Sequence, residues 1–197
     1  VSNYAPSPSA MPPGALEPYE GLLFPDTYYL GPESTPEELL TQMLTRFDEV
    51  LTRLGYGAAP QIVGMSAYET VVLASLIERE ARIGSERAKI SRVIHNRLAA
   101  DWYLGIDASN IYVTGHTQLT LTDFKSESPY NTRQTKGLPP TPIAAAGRAS
   151  LEAALAPIPG QWMFYVLADE AGRHSFSMTI QEFERDKARC QERGLCG

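Results

Sequence analysis

The chain has 197 residues, 43% of them apolar and 20% charged, enough for one sizeable core with at most a small appended subdomain. Its net charge of -6 leaves no basic footprint, so neither nucleic acid nor an anionic membrane surface is an expected partner. No window approaches the roughly 18 apolar residues of a membrane span, and no signal-peptide pattern opens the chain, so the segment as it stands is expected to be soluble.

Residues 1–18 begin without Met and are rich in Pro, Ser and Ala, which reads as a flexible linker and leaves room for an anchor upstream. Residues 19–30 are apolar and aromatic but broken by Gly21 and Pro25, so they read as two short extended pieces around a bend. Thr35 can then cap a helix that has Pro36 at its first position and Glu37 and Glu38 at its positive end. Leu39, Leu40, Met43, Leu44, Phe47, Val50, Leu51 and Leu54 recur at helical spacing, and Gly55 stops the run.

Ser66 and Glu69 form a capping-box start, and Gly84 is a plausible stop, so a helix is predicted over 66–82. Val71, Val72, Leu73, Ala74, Leu76, Ile77 and Ala81 cover nearly every direction of its wheel, which predicts a buried helix. Its last turns nevertheless carry two carboxylates, Glu78 and Glu80, on opposite sides. A carboxyl held against apolar neighbours has its charged form disfavoured and can serve as a general acid. The local alternative pairs Glu78 with Arg82 at i+4 and sends Glu80 to solvent, and spacing alone does not choose between these readings.

A second helix is predicted over 85–100, completing an αα-hairpin, with His95 beside its apolar stripe as a core or hydrogen-bonded histidine. Residues 104–107, 110–113 and 118–121 read as short β-like pieces with a turn at Gly115 and His116. The long loop 126–142 offers hydroxyl, amide and guanidinium groups from Tyr130, Asn131, Thr132, Arg133 and Gln134, a set suited to a polar, uncharged ligand such as a sugar. A purely structural loop would carry the same Pro and Gly.

A short helix at 147–156 and a hairpin from 162–167 and 174–176, turning at Gly172, come next. Thr179 and Glu182 then open a charged helix ending near Arg193. Cys190 and Cys196 fit no common zinc spacing; a disulfide between them would suit an extracytoplasmic location, two thiols the cytosol. With no phosphate-cradling loop, zinc-binding His pair or nucleophile elbow, neither metal nor cofactor is expected.

Four stretches, in order, resemble one family. They are 20–28 (Glu-Gly-Leu-Leu-Phe-Pro-Asp-Thr-Tyr), 74–81 (Ala-Ser-Leu-Ile-Glu-Arg-Glu-Ala) with 93–98, 128–132 (Ser-Pro-Tyr-Asn-Thr) with Gly137-Leu138-Pro139-Pro140, and 164–166 with 174–177. Together they resemble the endolytic murein transglycosylases of the MltG (YceG-like) type. The resemblance implies an α+β fold: a mainly helical catalytic domain with short β-hairpins over 56–190, preceded at 19–55 by the end of a LysM-like subdomain or a connecting segment and followed by a tail at 191–197.

It also implies cleavage of the β-1,4 bond between N-acetylmuramic acid and N-acetylglucosamine in peptidoglycan strands, leaving 1,6-anhydro ends, with Glu78 as the catalytic residue. Glu80 then returns to a paired or solvated charge. Tyr130, Asn131, Thr132, Asp107 and Ser75 are the implied substrate-binding residues, and Asn96 and Arg97 are expected to orient the helix pair. Ala108 and Trp102-Tyr103 depart from the family's more common proline and Met-Pro. The whole protein would sit on the extracytoplasmic face of the cytoplasmic membrane, held by an N-terminal anchor absent from this chain, with penicillin-binding synthases as partners.

Overall fold

The computed structural model describes residues 2–6 and 19–196. It is mainly helical with one two-stranded antiparallel sheet, the α+β class expected. Most of the predicted linker, at 1 and 7–18, lies outside the described residues; residues 2–6 instead dock on the first helix, where Ser2 and Asn3 bond the Asp48 carboxylate and Tyr4 bonds Thr52.

Helix α1 (Pro36–Leu54) starts at a complete Thr35/Glu38 capping box and ends at Gly55 in the left-handed region, as its sequence signals require. Its buried Phe47, Val50 and Leu51 join Leu22 and Phe24 in the same core as the later helices. Residues 19–55 thus contribute to the core cluster of the later helices. Gly21, at φ 75, lies where any side chain would strike Pro142, which ties this N-terminal stretch to residues 142–144.

After a short helix α2 (Ala59–Val63), α3 (Ala67–Glu80) begins at the predicted Ser66/Glu69 box. It is buried on every side from Thr70 to Ile77, as an all-round apolar wheel demands. Burying each of Leu73, Leu76 and Ile77 contributes about 1.5–3 kcal/mol and fixes the helix axis. The helix ends two residues before the predicted stop because Ala81 turns extended, its N–H still reaching Ile77 O at 2.9 Å. Both acidic side chains therefore stand in its last turn.

Helix α4 (Arg87–Ala99) completes the αα-hairpin, and α7 (Arg148–Leu155) packs across both helices. Strands β1 (Phe164–Leu167) and β2 (His174–Ser177) pair Phe164 with Ser177 and Leu167 with His174, and α8 (Ile180–Glu192) covers them from its predicted Thr179/Glu182 cap. Cys190, buried near the end of α8, is joined to Cys196 with Cα atoms 5.6 Å apart. Among the described residues no single helix is long and apolar enough to cross a membrane.

None of the β-like pieces predicted between 104 and 121 is a strand: 110–113 lies inside helix α5 (Asp107–Thr114), while 104–107 and 118–121 are irregular up to the first residues of α5 and of α6 (Leu121–Phe124). Asp107 in the first turn and Gly115 in the left-handed region past the end are helix punctuation, as is the complete Thr120/Asp123 capping box. Ala108, Ser109 and Asn110 are small enough to be buried where α5 meets α3, which outweighs the β preference of Ile111 and Val113.

Candidate active site

Glu78 leaves the last turn of α3 about 30% exposed, toward the place where the first turns of α4 and α7 meet. Its Oε2 accepts the backbone N–H of Gly147, the N-cap of α7, at 3.1 Å. Its Oε1 lies 3.9 Å from the Arg87 guanidinium, whose Nε donates to Ser150 Oγ at 3.0 Å. The cation beside Glu78 thus comes from α4, not from Arg82 one turn along its own helix.

Ser75, three residues before Glu78 and so on the same face of α3, is fully buried. Its hydroxyl donates to Val72 O at 2.7 Å and accepts the Ile143 N–H at 3.0 Å. It therefore fixes the segment that delivers Gly147 to Glu78. Its place is behind the site, not at a ligand surface.

Glu80 is half-buried and makes no ion pair among the described residues. The Tyr165 hydroxyl donates to its Oε2 at 2.7 Å, and burial pushes the Glu80 carboxyl above the usual range, a rise that this hydrogen bond opposes and nearby Asp107 reinforces. Burial and then Glu80 itself push the Tyr165 hydroxyl well above its ordinary value. Since the folded pKa of Glu80 is raised, its stability contribution is complete below the unfolded value, about 4.3, and is lost as pH climbs toward the folded value. Glu80→Gln keeps an acceptor for Tyr165 without a proton to lose. Its melting temperature should gain on the wild type as pH rises above about 4.3; a difference that does not change with pH would contradict this placement.

The loop 126–142 turns Tyr130, Asn131 and Thr132 inward, while Arg133 and Gln134 are exposed. Tyr130, Asn131 and Thr132 are at most 1% exposed. Tyr130 OH bonds Thr141 Oγ1 at 2.7 Å. The Asn131 amide reaches the carbonyls of Asp123, Phe124 and Ser126, and its oxygen accepts from Asn110 and the Arg133 N–H. Thr132 Oγ1 accepts the Ile106 N–H at 2.8 Å and bonds Ser109. The hydrogen-bonding groups of these three, implied by the resemblance to bind substrate, close the loop on itself in the structure. Further along, Gly137, Leu138, Pro139 and Pro140 wall an apolar groove of about 370 Å³ with Met65 and Tyr68, and this groove does not include Glu78.

Asp107 is exposed and paired to Arg133 Nε at 2.7 Å, and its charge acts on Glu80 and Tyr165. Asn96 donates to the carbonyls of Gly160 and Trp162, while Arg97 donates to those of Met163 and Leu104, so both tie α4 to the segment ahead of β1. His95 is satisfied by Ala154 O at 3.2 Å, and burial lowers its pKa. His174 Nδ1 meets Glu86 at 2.7 Å and locks β2 to the turn ahead of α4.

Arg87, Gly147, Ser150 and Tyr165 were not found by sequence reasoning. Arg87 and Gly147 stand 9 and 69 residues from Glu78, and no spacing rule links them. The nearest signal was Gly147 at the start of the short predicted helix, since a helix start offers free N–H groups.

The sequence model of the YceG-like family matches residues 3–189. A Bacillus subtilis (strain 168) protein named endolytic murein transglycosylase is 35% identical over 173 residues, which is 86% of this chain and 47% of that protein. A Streptococcus pneumoniae serotype 2 (strain D39 / NCTC 7466) protein of the same name is 26% identical over 182 residues, 89% of this chain and 33% of its own length. The chain thus spans half or less of these relatives. The 2.6 Å crystal structure of a yceG-like protein from Listeria monocytogenes superposes with a TM-score of 0.81 at 32% identity, covering 88% of this chain and 57% of that one.

Proposed function

As the chain belongs to the YceG-like family, we propose that it is the catalytic part of a lytic transglycosylase that cuts peptidoglycan glycan strands internally, with Glu78 as its single acid and base. The observation that carries this reading is Glu78 itself, a partly exposed carboxyl at the end of a buried helix, oriented by a backbone N–H and faced by a cation.

Glycosidases that use water employ two carboxyl groups across the scissile bond. Here the C6 hydroxyl of the muramyl residue attacks its own anomeric carbon. Protonated Glu78 gives its proton to the departing glycosidic oxygen as the C1–O bond breaks. The resulting carboxylate then takes the proton of the C6 hydroxyl as the new C1–O6 bond closes. Glu78 ends as it began, and no water is consumed. Gly147 holds Oε2 through this cycle, which leaves Oε1 as the oxygen to exchange the proton.

A lysozyme-like hydrolase would need a second carboxylate opposite Glu78. Asp107, the acidic residue among the implied substrate-binding positions, is engaged with Arg133 and acts on Glu80, which leaves α3 on the side away from Glu78. To the same proposal belong an anchor outside these residues, a place on the extracytoplasmic face, and synthases as partners that supply nascent strands.

Digestion of uncrosslinked strands by the full-length protein, with the new ends identified by mass spectrometry, tests the reading. Anhydro ends are expected. Reducing ends would make the protein a hydrolase, and binding without new ends would make it a glycan-binding module.

A further inference from the structure

We propose that Arg87 is the positioning cation of this reaction, meeting the negative charge that forms on Glu78 each time its carboxyl gives up a proton. The inference rests on the reading of Glu78 above and goes beyond it to a second residue on another helix.

The geometry is specific. Arg87 stands at the first position of α4 with its side chain only 20% exposed, one guanidinium nitrogen 3.9 Å from Glu78 Oε1. Its Nε is held by Ser150 Oγ at 3.0 Å, from the first turn of α7, the same turn whose cap supplies the Gly147 N–H to the other carboxylate oxygen. Two elements far apart in sequence thus set a hydrogen-bond donor on one oxygen of Glu78 and a cation near the other.

The neighbouring charges are spent elsewhere. Arg148 is paired with Glu152 at 2.8 Å, and Glu86 is committed to His174. Among the described residues Arg82 makes no ion pair with Glu78. Arg87 is therefore the cation whose field acts on the reacting carboxyl.

In a half-buried site an ion's field is screened less than in water, so a fixed guanidinium at this distance favours the charge-separated transition state of proton donation. It forms a direct hydrogen bond to Ser150, not to Glu78, so its action on the reaction is electrostatic. Substrate binding does not require it.

The test compares Arg87→Gln, Arg87→Lys and Ser150→Ala in the full-length protein on a defined uncrosslinked strand. Arg87→Gln should lower kcat by about 10- to 100-fold with KM and melting temperature little changed. Arg87→Lys, which keeps the charge, should recover most of that loss, and Ser150→Ala, which frees the guanidinium but leaves it present, should fall between. A role confined to bracing α4 against α7 would make lysine no better than glutamine and would lower the melting temperature of both. Either that pattern or a wild-type kcat in Arg87→Gln would overturn the proposal. If the glutamine variant does not fold, lysine activity near wild type alongside a clear kcat loss in Ser150→Ala supports it, and the reverse order overturns it. Cleavage by Glu78→Gln would defeat the reading of Glu78 instead, so the two failures are distinguishable.

Discussion

Glu78→Gln in the full-length protein should cut strand cleavage by about 10³-fold while leaving the fold and glycan binding intact. The amide oxygen still accepts the Gly147 N–H, and the change removes neither volume nor a buried apolar contact, so the melting temperature should stay close to that of the wild type. What is lost is the proton. An amide neither protonates the glycosidic oxygen nor accepts the proton of the C6 hydroxyl, so both halves of the reaction fail together. Unchanged cleavage rates would remove Glu78 from the chemistry.

Asn131→Ala should act on stability in the opposite proportion. Its side chain is fully buried and is placed to satisfy three carbonyls, at 3.3, 3.1 and 2.7 Å, along with the Asn110 amide and the Arg133 N–H. Alanine fills little of that space and leaves several buried polar groups without partners, at a cost of about 3 kcal/mol or more. For a chain of this size that is a fall of about 6–12 °C in melting temperature. Cleavage measured well below that midpoint should retain the wild-type KM. A glycan contact would behave in reverse, with an unchanged melting temperature and a raised KM. Thermal unfolding and steady-state kinetics on the same preparation separate the two.

Much of the fold was legible because helix starts write themselves locally. The Thr35/Glu38, Ser66/Glu69 and Thr179/Glu182 capping boxes are complete in the structure, and the first and last lead into helices that end within a residue or two of their predicted stops. The apolar wheel of α3 foretold its burial. The region 104–121 was misread because β-branched residues and short length imitate strands, and α5 is made helical by its packing on α3.

The site was less legible, for a different reason. Motif resemblance singles out Glu78, but what surrounds it comes from α4 and α7 by folding, and polar residue types do not reveal direction. Tyr130, Asn131 and Thr132 have the groups that bind a sugar, and the chain uses those groups to close its own loop. Glu80 shows the same limit, since nothing near it in sequence announces Tyr165, 85 residues away.

The central claim, a single glutamate passing the attack to the sugar's own C6 hydroxyl, is tested most directly by digesting uncrosslinked strands in heavy-oxygen water with the full-length protein. The new muramyl ends should be anhydro forms carrying no label from the solvent. Label at the newly formed muramyl ends would mean that water attacks the anomeric carbon, and the single-glutamate account would be wrong.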